Sequence, residues 1–183
     1  MLERDNLKRS HLQRSPLDTE VTPPETQHFK INYDAATLVE DNNAGLGVVI
    51  RNSDGHPIAS LTQQIPLPAT VIEAEALATR RAMELALELS LDNIVLEGDK
   101  ESLFKALKSR DKSLTQYGHL LKDILFLSSH FSNFTVSFAG RQCNKMAHSL
   151  ARKAKSLPLM TVWMDVVPPD LVSILQADLN SLP

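Results

Sequence analysis

Gly45-Leu46-Gly47-Val48-Val49-Ile50-Arg51-Asn52-Ser53-Asp54-Gly55, followed by Pro57-Ile58-Ala59-Ser60-Leu61, is two apolar strand-like runs flanking a strong turn signal. Val and Ile suit a half-buried pleated surface, and Asn-Ser-Asp-Gly suits a tight reversal, so the two runs predict an antiparallel hairpin. Upstream, residues 28–36 form a third strand-like run in which Phe29-Lys30-Ile31-Asn32-Tyr33 is closed by Asp34. Downstream, Pro66 and Pro68 end the hairpin and Thr70 opens a long helix to about Leu89, apolar over more than one face and therefore largely buried. A strand over 93–97, helices over 100–109 and 116–130, an alternating strand from Phe134 to Phe138 and a helix from Asn144 to Lys155 complete the order βββαβααβα. A leading antiparallel meander followed by β-α alternation predicts an α/β fold: a five-stranded mixed sheet with flanking helices.

That core spans residues 28–157. Residues 1–27 are polar, are interrupted by Pro23-Pro24 and are expected to be a disordered arm, consistent with a piece cut from a longer polypeptide. Residues 158–183 form a tail with a short helix around Leu171-Val172 and Ile174-Leu175. Trp163, Met164 and that apolar stripe are too hydrophobic for water, so the tail is expected to dock on the core or on a partner.

Composition narrows the setting. The chain of 183 residues is 43% apolar and 22% charged, enough for one ordinary core. A net charge of −3 lacks the basic excess of many nucleic-acid binders, so any phosphate-facing surface is a local patch. The lone Cys143 allows neither an internal disulfide nor a zinc site by itself, and an intracellular location, nuclear or cytoplasmic, is expected. No apolar run reaches the roughly 20 residues of a membrane helix, and no membrane partner is expected. Nucleophile-elbow, phosphate-loop and zinc-protease motifs are missing from the sequence.

Three acids at the edges of elements carry the chemical signal: Asp34 after a strand, Glu73 in the first turn of the long helix and Asp99 after another strand. Each also has a structural explanation. Thr70-x-x-Glu73 is a capping box, Asp99 suits a helix N-terminus, and Asp34 suits a strand end. Together, if the strands are neighbours, three convergent carboxylates repel one another and invite a divalent metal. Gly45 and Gly47 mark either a bulge or a close backbone approach, the latter open to a nucleic-acid backbone. His148 lies in a segment with Arg141, Lys145, Arg152, Lys153 and Lys155, which by default is a solvated basic face.

In order, Lys30-Ile31-Asn32-Tyr33-Asp34-Ala35-Ala36, the hairpin from Gly45 to Gly55, Glu73-Ala74-Glu75-Ala76-Leu77-Ala78, Glu97-Gly98-Asp99 and Arg141 to Ala151 resemble the type 1 ribonuclease H domain. The version they are most similar to occurs in plant retroelement-derived, reverse-transcriptase-like proteins. The resemblance implies endonucleolytic hydrolysis of the RNA strand of an RNA–DNA hybrid, with nucleic acid as the partner and an unspecified oligomeric state. It places Asp34, Glu73 and Asp99 on three of the family's four metal positions, with Glu73 chosen over Glu75 because the family acid begins the helix. It implies a two-metal mechanism with Mg²⁺ (Mn²⁺ as the alternative), the ions lying about 3.5–4 Å apart. His148 takes the fourth acidic position as a catalytic residue, and Gly45, Gly47, Thr70 and Asn144 are the implied substrate contacts. The chain departs from the family at several points: His148 replaces an acid, Phe138 a histidine, and Ala69-Thr70 a polar pair, and the basic helical extension of some members is missing. Imidazole is a poor Mg²⁺ ligand. The rival reading is therefore an inactive module of the same fold that binds nucleic acid or protein.

Overall fold

A computed structural model describes residues 11–12, 28–109 and 117–180. Seven strands form one sheet in the order β1-β6-β5-β2-β3-β4-β7. They are β1 (His11–Leu12), β2 (Phe29–Leu38), β3 (Asn43–Arg51), β4 (Pro57–Pro66), β5 (Asn93–Gly98), β6 (Asn133–Phe138) and β7 (Met160–Met164). The helices are α1 (Val71–Glu88), α2 (Glu101–Ser109), α3 (Gly118–Ser128), α4 (Lys145–Lys153) and α5 (Val172–Asn180). The meander β2-β3-β4 is antiparallel, whereas β5 and β6 run parallel to β2, which gives the mixed sheet that the element order implies. The turn forms as read: Asn52 Oδ1 accepts from the Asp54 and His56 amides, and Gly55 takes positive φ.

Two strands exceed the expected five. Within the polar arm, which otherwise lies outside the described residues, His11–Leu12 pairs in parallel with β6. In the tail, β7 pairs antiparallel with β4, whose outer edge would otherwise present an open ladder. Thr161, Val162 and Trp163 suit a strand, a propensity outweighed in the sequence by the flanking prolines and the short helix.

Strand alternation divides the core in two. Ile31 and Tyr33 of β2 and Leu46, Val48 and Ile50 of β3 belong to the larger core with α1, α2 and α3. Buried Ala74, Ala76, Ala78, Ala82 and Ala86 let α1 approach that face closely. On the other face, Val49 packs with Met146 and Leu150 of α4, Val167 and Leu171, and Trp163, Ile174 and Leu175 are drawn in beside them. The tail is thus docked. Arg51 and Asp178 form a buried pair at 2.8 Å, and Ser60 donates to the Val166 carbonyl.

Gly45 and Gly47 are explained by α4. A Cβ on Gly45 would lie 2.0 Å from the Ala151 carbonyl oxygen, and one on Gly47 would lie 2.1 Å from that of Ala147. Both glycines are buried under the helix, so the close backbone approach is intramolecular. Their reading as substrate contacts is corrected accordingly.

Candidate active site

Pairing between β2 and β5 ends at Asn32 and Glu97. Beyond it, β2 continues along β3, with Asp34 opposite Gly47, while β5 continues along β6, with Gly98 opposite Phe138. The two parallel strands therefore separate at their carboxyl ends, where ligand sites of α/β sheets commonly form. Gly98 leaves room there for Tyr33, since a Cβ would fall 2.5 Å from the phenol ring.

Asp34, Glu75 and Asp99 converge at this opening, each with a carboxylate oxygen within 4.8 Å of the others. Asp34 is 3% and Glu75 1% exposed. Among the described residues, no hydrogen bond is made to either Glu75 oxygen or to Asp99 Oδ1. Burial pushes the Glu75 carboxyl up to about 9, the negative charges of Asp34 and Asp99 add to the effect, and Lys100 opposes it. Burial likewise raises Asp34, with Asp99 adding and His148 opposing through its hydrogen bond and charge. Tyr33, just beneath, is held neutral far above its ordinary range, chiefly by burial.

The helical acid is Glu75, which corrects the assignment to Glu73. Thr70 is the N-cap of α1: its hydroxyl accepts from the Glu73 amide at 3.2 Å, and the Glu73 carboxylate accepts from the Ala69 amide at 3.0 Å. Glu73 is spent on that capping box. Two residues on, a helix has turned by more than half a revolution, so Glu75 points to the sheet and Glu73 away from it. The signal for Glu75 lies in Ala78, Ala82 and Ala86, which follow it at helical spacing and mark the buried stripe. Thr70 remains exposed at the helix start, outside the acidic cluster.

Around the acids, His148 of α4 is joined to the cluster by a 2.6 Å hydrogen bond between its Nδ1 and Asp34 Oδ2. Lys100 Nζ stands 3.6 Å from both Glu75 Oε1 and Asp99 Oδ1. The largely exposed Arg141 approaches Asp99 Oδ2, also at 3.6 Å. Asn144 is 1% exposed and donates from Nδ2 to the Tyr33 carbonyl at 2.8 Å. It fastens the start of α4 to β2, and burial removes it from the expected substrate contacts. Phe138 packs beside Phe104, ring centroids 6.5 Å apart, and supplies no titratable group.

Three largely buried carboxylates, two of them with unsatisfied oxygens, are a hard-oxygen donor set that fits a divalent cation.

Fold and site together define a ribonuclease H domain of type 1. The structure is similar to ribonuclease H1 of the archaeon Halobacterium salinarum NRC-1, at 25% identity and a TM-score of 0.64 over 70% of this chain and 98% of that one. It is similar to LC11-RNase H1, solved in complex with an RNA/DNA hybrid, at 21% identity and a TM-score of 0.61 over 69% and 95% of the two chains. The prototype foamy virus protease-reverse transcriptase matches at 17% identity and a TM-score of 0.56 over 80% of this chain and 23% of the viral one. No curated protein matches the chain by sequence. Residues 32–154 match the reverse transcriptase-like family, and the chain belongs to it.

Proposed function

We propose that this domain cleaves the RNA strand of RNA–DNA hybrids with divalent cations held by Asp34, Glu75 and Asp99. The observation that carries the reading is Glu75, buried with both oxygens unsatisfied beside two further carboxylates. A fold gains nothing from such an arrangement unless a cation completes it. When bound, Mg²⁺ supplies charge neutralisation and Lewis acidity at a phosphodiester, in the two-metal manner.

The chain's own residues do the rest. Asp34 and Asp99 come at the ends of neighbouring strands and Glu75 from the helix packed against them, so the ligand set is held by regular elements of the core. Asp34 orients His148 through Nδ1, which leaves Nε2 as the ring atom able to exchange a proton with water or the leaving oxygen. Arg141, in the turn before α4, supplies positive charge beside the cluster for a phosphate backbone.

Membership in the family and the likeness to a viral protease-reverse transcriptase support derivation from a retroelement polyprotein. A plant source is proposed on the sequence resemblance alone, and a nuclear or cytoplasmic location on the lone cysteine. The reading as a binding module without catalysis is favoured by one observation, the imidazole of His148 at the fourth position. A labelled RNA–DNA hybrid incubated with Mg²⁺ decides between them. Cleavage by the parent, lost in Asp34→Asn and Glu75→Gln, supports the nuclease; hybrid binding without cleavage supports the module.

A further inference from the structure

Lys100 has no role in the reading above, yet its ammonium reaches two of the three acids. Nζ lies 3.6 Å from Glu75 Oε1 and 3.6 Å from Asp99 Oδ1, and the side chain is 25% exposed. The residue directly precedes α2, where the helix N-terminus disfavours a cation, so the backbone gives no reason for it to fold inward. The attraction comes from the carboxylates. Glu75 Oε1 and Asp99 Oδ1, the two atoms it approaches, are buried and make no hydrogen bond. Lysine is suited to such a place because it is a compact point charge on a flexible stem, able to enter and leave.

We propose that Lys100 is the resident counter-cation of the acidic cluster, and that a divalent ion reaches Glu75 and Asp99 in competition with its ammonium. The inference rests on the metal-binding reading of these acids and adds a regulation to it. With Lys100 inward, the cluster is partly neutralised and the fold tolerates it. A metal ion must turn Lys100 outward, where a nucleic-acid phosphate can receive the displaced charge. Metal affinity is then set low by the chain itself and rises when a polyanion holds Lys100 away.

The test is titration calorimetry with Mg²⁺ alone on the full chain, together with melting in EDTA. Lys100→Gln is expected to bind Mg²⁺ ~10-fold tighter than the parent, the scale of one partly screened charge at this distance. It is also expected to melt lower than the parent without metal. Lys100→Arg keeps the charge and stays near the parent, and Lys105→Gln, an exposed lysine of α2 paired with Glu101, leaves affinity unchanged. Mg²⁺ binding by the parent that is equal or weaker in folded Lys100→Gln overturns the competition and leaves the metal site standing. Failure of parent and Lys100→Gln alike to bind Mg²⁺, both folded, overturns the metal reading and the competition with it. Binding by Lys100→Gln alone supports both.

Discussion

Two charged groups are buried along the same face of β2, and the fold treats them in opposite ways. Near the start of the strand, Lys30 meets Glu97 at 3.2 Å, Asn32 donates to Glu97 at 3.0 Å, and across the sheet Arg51 meets Asp178 at 2.8 Å. There each carboxylate has a cation. Two residues further on, Asp34 joins Glu75 and Asp99; Asp34 is hydrogen-bonded to His148, while Lys100 and Arg141 stand 3.6 Å from the cluster. Buried charge in matched pairs is structure, held by geometry that offsets desolvation. Three acids crowded together are kept against a cost, and on the function proposed above a cation from outside the chain completes them.

The matched pair should break hardest. Asp178→Ala strands the Arg51 guanidinium, which is 2% exposed, and unfastens α5 from the sheet. The expected loss is about 3–5 kcal/mol, as for one partner removed from a buried pair. Urea denaturation measures it. A loss under about 1 kcal/mol would mean that the tail lies on the domain without belonging to its core. Because the pair is remote from the acids, Mg²⁺ affinity in the folded fraction should stay at the parent value.

Next comes Gly47→Ala. The new methyl would meet a backbone carbonyl, that of Ala147, and not a side chain that can swing aside. Helix α4 must lift, at about 1–3 kcal/mol for overpacking. His148 is the next residue and moves with it, so hybrid cleavage should fall together with the melting temperature. Unchanged stability would show that α4 is seated loosely, and the 2.6 Å contact to Asp34 with it.

The same glycine shows where sequence reading ended. The meander, the turn at Asn52–Gly55, the capping box and the strand positions of Asp34 and Asp99 are local patterns, readable because hydrogen bonding within a few residues decides them. His148 is singled out by the family resemblance alone, since its basic segment reads by itself as a solvated face. What was misread depends on contacts across the chain. Gly45 and Gly47 signal a close approach without saying of what, and only the docked helix names the occupant. Asn144 carries a polar side chain that ends buried against a carbonyl 111 residues away. Glu73 and Glu75 are two acids in one turn, separated only by knowing which side of α1 meets the sheet.

The surplus cluster should respond to pH and metal where the matched pair does not. Glu75 titrates at about 9 in the fold against an ordinary 4.5, so between those values the folded protein holds a proton that the unfolded chain has lost. That contribution is full below the ordinary value and is lost as pH rises through the raised one. Asp34 shifts in the same direction. In EDTA, the parent should therefore lose stability from about pH 5 to about pH 9, and Glu75→Gln should flatten the slope and melt several degrees higher at the alkaline end. Mg²⁺ should raise the melting temperature of the parent, with proton release on binding, and leave Glu75→Gln nearly unmoved. A parent and variant with parallel pH profiles would show that Glu75 carries no stored proton.

The smallest effect is the most discriminating. Glu73 and Glu75 have the same chemistry two residues apart, yet one meets the Ala69 amide and the other meets two more carboxylates. Glu73→Gln keeps an oxygen for that amide and loses only a charge near the helix N-terminus, about 0.3–1 kcal/mol of stability. Mg²⁺ affinity and hybrid cleavage should stay within about 2-fold of the parent, because no atom of the cluster has moved. Glu75→Gln keeps the shape of the side chain but replaces one carboxylate oxygen of the ligand set with an amide nitrogen. It should lower cleavage by roughly 100-fold or more, the scale for losing a directly acting charge. The two variants share composition and backbone, so neither expression nor helix propensity accounts for a difference between them. If Glu73→Gln abolished cleavage while Glu75→Gln spared it, the capping carboxylate would be the ligand, and α1 would have to turn on its axis before the site assembles.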